Sequence, residues 1–169
     1  MCVQHVSFVG RSKSGKTTLI TRLISIFRLK SLKVGSIKHT HHQAEFDKPG
    51  KDSWRHREAG SQQVLLLSQN QLALYTERIP EQSLPDIVQK WFSDFDLVIS
   101  EGFKNEPGLK IEVYRPSTGK TPLYSDPAFS IDALVSDQTP ESDIPFFGFE
   151  DAELICDWIL ERTGLNKSY

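Results

Sequence analysis

The eight residues Gly10-Arg11-Ser12-Lys13-Ser14-Gly15-Lys16-Thr17 constrain the fold more than any other part of this chain. They match G-x-x-x-x-G-K-[ST] at every fixed position. The context is also that of a phosphate loop. Val3 to Val9 reads as a short strand on its apolar residues Val3, Val6, Phe8 and Val9. Beyond Gly15, the apolar residues Leu19, Ile20, Leu23, Ile24, Ile26 and Phe27 recur at helical spacing. Glycines let such a loop curl so that several N–H groups point inward, and the helix N-terminus joins them in holding phosphate. Lys16 is placed to reach the β- and γ-phosphates of a nucleoside triphosphate, and the Thr17 hydroxyl is a natural Mg²⁺ ligand. Gly10, Arg11, Ser12, Lys13, Ser14, Gly15 and Thr18 complete the expected binding loop. The plainer alternative is a glycine- and serine-rich turn capping a helix; the flanking strand and helix favour the phosphate loop.

The rest of the chain reads as an α/β domain. Lys33 to Lys38 is a second strand, and the crossover between the two strands is long enough for a right-handed βαβ unit. Asp52 to Ala59 reads as a helix ended near Gly60. Val64 to Leu67 and Leu72 to Thr76 read as a hairpin across the polar stretch Ser68 to Gln71. Leu84 to Phe92 suits an amphipathic helix, and Leu97 to Ser100 a strand buried on both faces. Ile111, Val113 and Arg115 alternate with Lys110, Glu112 and Tyr114, which predicts a half-exposed strand. Asp132 to Ser136 and Phe146 to Phe149 are further strands. Asp151 is expected to cap a last helix running to about Thr163, with Gly164 ending it. These elements predict one three-layer P-loop NTPase-like domain over residues 1–169, with a mixed, mostly parallel sheet.

A phosphate loop needs a carboxylate near its Mg²⁺, beyond the carboxyl ends of the strands. Asp96 and Glu101 flank the strand Leu97 to Ser100. Five residues at ~3.3 Å rise separate them by roughly 16 Å, so both cannot reach one metal. Glu101 is at the carboxyl end and is the expected acidic partner and metal ligand; Asp96 reads as a cap or surface charge. The cluster Lys38-His39-Thr40-His41-His42 follows the second strand at the same edge. It admits contact with phosphate or a second substrate, and equally a polar surface loop; adjacent imidazoles diverge, and no cysteine lies nearby to build a zinc site. Asp52 and Arg55 open the next helix, where Arg55 can clamp an anion or face solvent. Lys104 carries the same ambiguity. The sequence has no N-K-x-D. Asp137, at the end of a late strand, can accept hydrogen bonds from guanine N1–H and N2–H₂, or simply belong to a turn.

With 169 residues, 38% hydrophobic and 25% charged, the chain is long enough for a real core. The formal charge of −2, without a basic tract, gives no reason to expect nucleic-acid or membrane binding. Cys2 and Cys156 form no C-x-x-C, so neither a disulfide framework nor a thiolate metal site is indicated. Met1 to Gly10 does not read as a signal peptide, and the apolar runs fall short of the ~20 residues that span a bilayer. A cytoplasmic location is expected.

Taken in order, Gly10-x-Ser12-x-Ser14-Gly15-Lys16-Thr17-Thr18-Leu19, Ile37-Lys38-His39-Thr40-His41-His42, Lys51-Asp52-Ser53-x-Arg55-His56-x-x-Ala59-Gly60 and Ile99-Ser100-Glu101-Gly102-Phe103-Lys104 resemble the molybdopterin-guanine dinucleotide biosynthesis adapter family, MobB. The resemblance runs from residue 1 to about 115 and is looser beyond. It implies a homodimer that binds GTP with Mg²⁺, hydrolyses it weakly, and assists the MobA-like guanylyltransferase that transfers GMP from GTP onto molybdopterin. By position it implies Gly15, Lys16 and Thr17 for phosphates and Mg²⁺, and Glu101 as the acidic partner. Lys38, His39, His42, Asp52 and Arg55 would line an adjoining anion site. Arg11 and Lys13 make this loop more basic than the family's small-residue version. The residues after Glu101 include no glutamine to orient water, in keeping with slow hydrolysis. Two other functions compete: a small-molecule kinase with Arg55 and Arg57 on a lid, and a metal-delivering GTPase using His39, His41 and His42. Exposed strand edges near Leu72 to Thr76 and Lys110 to Arg115 are the expected pairing surfaces of a dimer.

Overall fold

The structure, a computed structural model, describes residues 3–40, 47–77 and 81–165. In chain order its elements are β1 (Gln4–Val9), α1 (Lys16–Leu29), β2 (Val34–Lys38), α2 (Asp52–Glu58), β3 (Gln63–Leu67), β4 (Leu72–Thr76) and α3 (Leu84–Phe92). There follow β5 (Leu97–Glu101), β6 (Leu109–Tyr114), β7 (Ala133–Ser136), β8 (Phe146–Phe147) and α4 (Ala152–Thr163). They form two compact units: Met1–His39 with Leu84–Tyr169, and Thr40–Ser83.

The first unit is built on a six-stranded sheet in the order β2-β5-β1-β6-β7-β8. All its pairings are parallel. The expected α/β architecture is present, and antiparallel pairing is confined to a separate two-stranded sheet, β3-β4. Because side chains alternate along a strand, each strand feeds two cores. Val6, Phe8, Leu97, Ile99, Ile111, Val113, Ala133 and Val135 share one core with Leu19, Leu23 and Phe27 of α1 and Ile155, Cys156 and Ile159 of α4. On the other face Val98 packs with Leu84 and Val88 of α3, beside Ile37 and Phe92. That gives three layers. Burying each large apolar side chain contributes about 1.5–3 kcal/mol against chain entropy.

Three local expectations change. First, β6 is not half-exposed: Lys110, Ile111, Glu112 and Val113 are all buried. Both edges are paired, with β1 and β7, so it offers no free edge for dimerisation. The alternating charges misled because the segment after β6 folds over its polar face. There the Glu112 carboxylate accepts the N–H groups of Leu123 (2.7 Å) and Tyr124 (2.8 Å). Burial raises the Glu112 carboxyl above its usual range, and the two backbone donors offset part of that. Second, Asp151 stands at the N-cap of α4 without a side-chain cap bond; its Oδ2 instead accepts from Gly148 N at 2.7 Å. Third, β8 is shorter than expected. Asp96 acts as foreseen, away from the carboxyl edge: its Oδ2 accepts from Lys33 N at 2.8 Å.

In the second unit the hairpin forms as expected, with Leu67 opposite Leu72. Ser68 N donates to Gln71 O at 2.9 Å, and Ser68 Oγ accepts from Gln71 N at 3.0 Å, closing the turn. Arg57 ties α2 to its surroundings through Asp47 Oδ2 (3.3 Å) and the face of Tyr75 (5.4 Å). Ser53 Oγ donates to Asp47 Oδ1 at 3.0 Å. No helix among the described residues is long and apolar enough to cross a membrane.

Candidate functional site

Parallel pairing brings the carboxyl ends of β1, β5 and β2 to one edge. Phe8 and Lys38 are both in register with Glu101. The chain leaves β1 at Gly10, where φ is +139° and a Cβ would lie 2.3 Å from the Val113 carbonyl oxygen. Only glycine serves at that turn. The loop then curls through Lys13, whose φ is +66°, and Gly15, at +97°, before α1 begins at Lys16. Ser14 is buried beneath it. The α1 N-terminus carries no side-chain cap, and the first N–H groups of a helix, lacking intrahelical partners, can hold an anion.

Lys16 folds back across the loop. Its Nζ donates to Gly10 O (3.1 Å) and Arg11 O (2.9 Å), with Ser14 Oγ at 3.5 Å. Partial burial lowers its ammonium pKa; the Glu101 charge opposes that, and the Lys38 charge adds to it. Thr17 Oγ1 donates to Glu101 Oε2 at 2.9 Å, and Lys38 Nζ lies 3.4 Å from the same oxygen. Lys38 Nζ also approaches Thr17 Oγ1, at 3.5 Å. His39 N donates to Glu101 O at 3.0 Å, and the His39 ring stacks on Phe103 at 4.8 Å between centroids. Arg11 Nε reaches Thr121 O at 3.4 Å, while Ser12, Lys13 and Thr18 are exposed.

The donor set fits a hard cation. Mg²⁺ takes oxygen ligands at ~2.1 Å in an octahedron, whose neighbouring ligands stand about 2.9 Å apart. The Thr17 and Glu101 oxygens have that separation.

On the other side of the loop, Arg115 leaves the end of β6 and reaches Asp137, Nη1 to Oδ2 at 3.0 Å. Its guanidinium lies 3.8 Å above the Phe149 ring. A Cβ on Gly15 would be 3.4 Å from Phe149 and 3.5 Å from Arg115 Nε. Sequence reasoning treated Arg115 only as a strand residue and did not single out Phe149. The signal for Arg115 was its place directly after β6, at the same edge as Glu101 and Asp137.

The first unit thus brings together the 10–18 loop, Lys38, His39 and Glu101, with Asp137 on its far side. Asp52 and Arg55 belong to the second unit, where both are exposed on α2. His41 and His42 lie outside the described residues. Among the described residues no three His, Cys, Asp or Glu side chains group as a metal site. Lys104 Nζ lies over the Phe129 ring at 5.2 Å.

A parallel sheet with this loop between β1 and α1 defines an α/β protein of the P-loop NTPase-like class. Within that class, the profile of the family described as molybdopterin guanine dinucleotide synthesis protein B matches residues 5–137, and the chain belongs to that family. It is 36% identical over 160 residues to the molybdopterin-guanine dinucleotide biosynthesis adapter protein of Escherichia coli strain K12, covering 92% of this chain and 91% of that protein. It is 43% identical over 116 residues to the protein of the same description from Haemophilus influenzae, covering 68% of this chain and 65% of that one. A crystal structure of molybdopterin-guanine biosynthesis protein B superposes with a TM-score of 0.75 at 31% identity, over 94% of this chain and 99% of that one.

Proposed function

We propose that this adapter of molybdopterin guanine dinucleotide biosynthesis holds GTP with Mg²⁺ at the 10–17 loop and presents it to a partner enzyme. The observation that carries the reading is the 2.9 Å meeting of Thr17 Oγ1 and Glu101 Oε2 at the mouth of a phosphate loop. Backbone N–H groups from Gly10 through Thr18 would cradle the phosphates. The Lys16 ammonium would leave the Gly10 and Arg11 carbonyls for phosphate oxygens, and Lys38 would balance the Glu101 charge. Mg²⁺, held by Thr17 and Glu101, would supply charge neutralisation between the β- and γ-phosphates. His39, next to Glu101, would add to the anion-binding edge, with residues 40–83 as an insertion in a single nucleotide-binding domain.

The segment after Glu101 supports slow hydrolysis. Gly102 and Phe103 turn through positive φ, +107° and +61°, into Lys104 and Asn105, and this segment carries no glutamine of the kind that orients an attacking water. A GTP kept intact is what a guanylyltransferase of the MobA-like kind needs in order to place GMP on molybdopterin. We infer a cytoplasmic homodimer. The exposed leucines of the β3–β4 hairpin support the dimer, since large apolar side chains left open on a paired ribbon invite a second copy.

Isothermal titration of GTP and ATP with Mg²⁺ tests the reading. GTP should bind more tightly than ATP, and Lys16→Ala should weaken GTP by about tenfold to a hundredfold, the worth of a hydrogen bond to a charged group. Preference for ATP would turn the reading to a kinase; binding indifferent to Lys16→Ala would remove the loop from the site.

A further inference from the structure

We propose that Arg115 is the positioning residue that holds Asp137 to read the base, and so sets the preference for guanine over adenine; this rests on the GTP reading of the phosphate loop. The geometry is a chain of fixed contacts running from the loop's own helix to a carboxylate. Arg22 of α1 donates from Nη1 to the Phe149 carbonyl at 3.0 Å and pairs with Glu150 at 3.2 Å. That pins the Phe149 segment beside the start of α1. Phe149 in turn supports the Arg115 guanidinium, 3.8 Å above its ring. Arg115 Nη1 then grips Asp137 Oδ2 at 3.0 Å. Gly15 closes the slot: with no side chain, it lets both Arg115 and Phe149 stand against the first turn of the phosphate-binding helix.

Asp137 alone would be a poor reader. Its side chain is 46% exposed, so an unheld carboxylate there would be hydrated and free to rotate, and ordering it would be charged against binding. Arg115 supplies that order in advance. A planar guanidinium resting on an aromatic ring is itself pre-organised, and its fork directs the contact. A carboxylate has about four lone-pair sites on two oxygens, so one bond to Arg115 leaves capacity for the two donors of guanine, N1–H and N2–H₂. Adenine presents a lone pair at its N1, which a fixed carboxylate repels. A swinging carboxylate turns away from it more freely than one held by Arg115, so discrimination depends on the hold.

The test is calorimetric titration of GTP, ATP and tripolyphosphate, each with Mg²⁺, against the full chain and its variants. In Arg115→Ala the GTP-over-ATP preference should shrink about tenfold or more, while tripolyphosphate binding stays unchanged. Arg115→Lys keeps the charge but not the stacked fork, and should lose most of the preference as well. Equal losses for GTP, ATP and tripolyphosphate would place Arg115 on phosphate or in the fold and overturn the proposal, as would an unaltered preference. Should Arg115→Ala fail to fold, Asp137→Asn decides. Its amide donor and acceptor match the N1–H and C2=O of xanthine, so XTP should gain on GTP; retained GTP preference would overturn the proposal. The underlying reading fails separately and visibly, in the unsubstituted chain, if GTP and tripolyphosphate do not bind at all.

Discussion

Gly35 shows how one missing methyl group can fix a helix position. A Cβ there would stand 2.4 Å from Phe92 Cδ1 and 3.3 Å from Phe95, the two rings that sit edge to face against each other below β2. Alanine would restrict the unfolded chain and gain about 0.4–1 kcal/mol from that. Displacing the Phe92 ring costs about 1–3 kcal/mol, so crowding wins. Gly35→Ala should lower the urea midpoint, with the slope of the transition unchanged. His5 makes a second residue-scale prediction. It sits on the α3 face of β1, where Nε2 meets Ser100 Oγ at 2.9 Å and Ser100 Oγ meets Ser7 Oγ at 2.9 Å. Burial pushes its imidazole down to about 4 from 6.5. The folded state therefore holds it neutral, while the unfolded state protonates it below about 6.5. Its contribution is complete above that pH and fades as pH falls toward 4, by up to about 3 kcal/mol. Unfolding free energies measured from pH 7 to pH 4 should fall more steeply in the unsubstituted chain than in His5→Gln. Parallel curves would mean that the imidazole titrates normally.

Among the described elements, the β3–β4 hairpin gathers four exposed leucines, Leu65, Leu66, Leu67 and Leu72. Leu67 is 72% exposed, Leu72 63% and Leu65 48%, on the same ribbon. Leu67→Ser combined with Leu72→Ser removes two of these without touching the turn bonds at Ser68 and Gln71. Light scattering should show the unsubstituted chain as the proposed dimer and this variant as a monomer; a monomeric unsubstituted chain would overturn the dimer, and an unchanged dimer mass in the variant would assign the interface elsewhere. This hairpin was legible in the sequence because its signal is local, two apolar runs around a polar turn. The phosphate loop was legible for the same reason, since loop, strand and helix are adjacent in the chain. β6 was misread because alternation reports which residues are polar, not whether a later segment will cover them. Glu112 looks like a surface residue until the backbone of Leu123 and Tyr124 reaches it. Arg115 stayed hidden for a related reason. Its partner Asp137 comes alongside only through the pairing of Tyr114 with Ser136, a register that no local pattern encodes.

At the scale of the first unit, the sheet order explains why one edge carries the chemistry. β1 is central, and the chain leaves it for β2 on one side and later returns to β6 on the other. Loops after strands on both sides of such a point diverge and leave a crevice at their carboxyl ends. Lys38 and Glu101 stand on the β2 side of the loop; Arg115 and Asp137 stand on the β6 and β7 side. On the proposed reading one side would serve phosphate and cation and the other the base, with the 10–15 loop between them.

The same order governs how the chain can be assembled as it is made. β1 and β2 emerge first, yet neither bonds to the other; each waits for β5, whose pairing residues begin at Leu97. Until then a growing chain holds the segments of three helices, α1, α2 and α3, and two strands, β1 and β2, with open backbone edges, and among the described residues the one sheet it can complete is the small β3–β4 ribbon. Closing so long a loop before any central pairing is rewarded favours slow folding. A nascent chain arrested before residue 97 should therefore expose β1 and β2 to chaperones and proteases. One released after residue 114 has the three-strand pairing around β1 within reach.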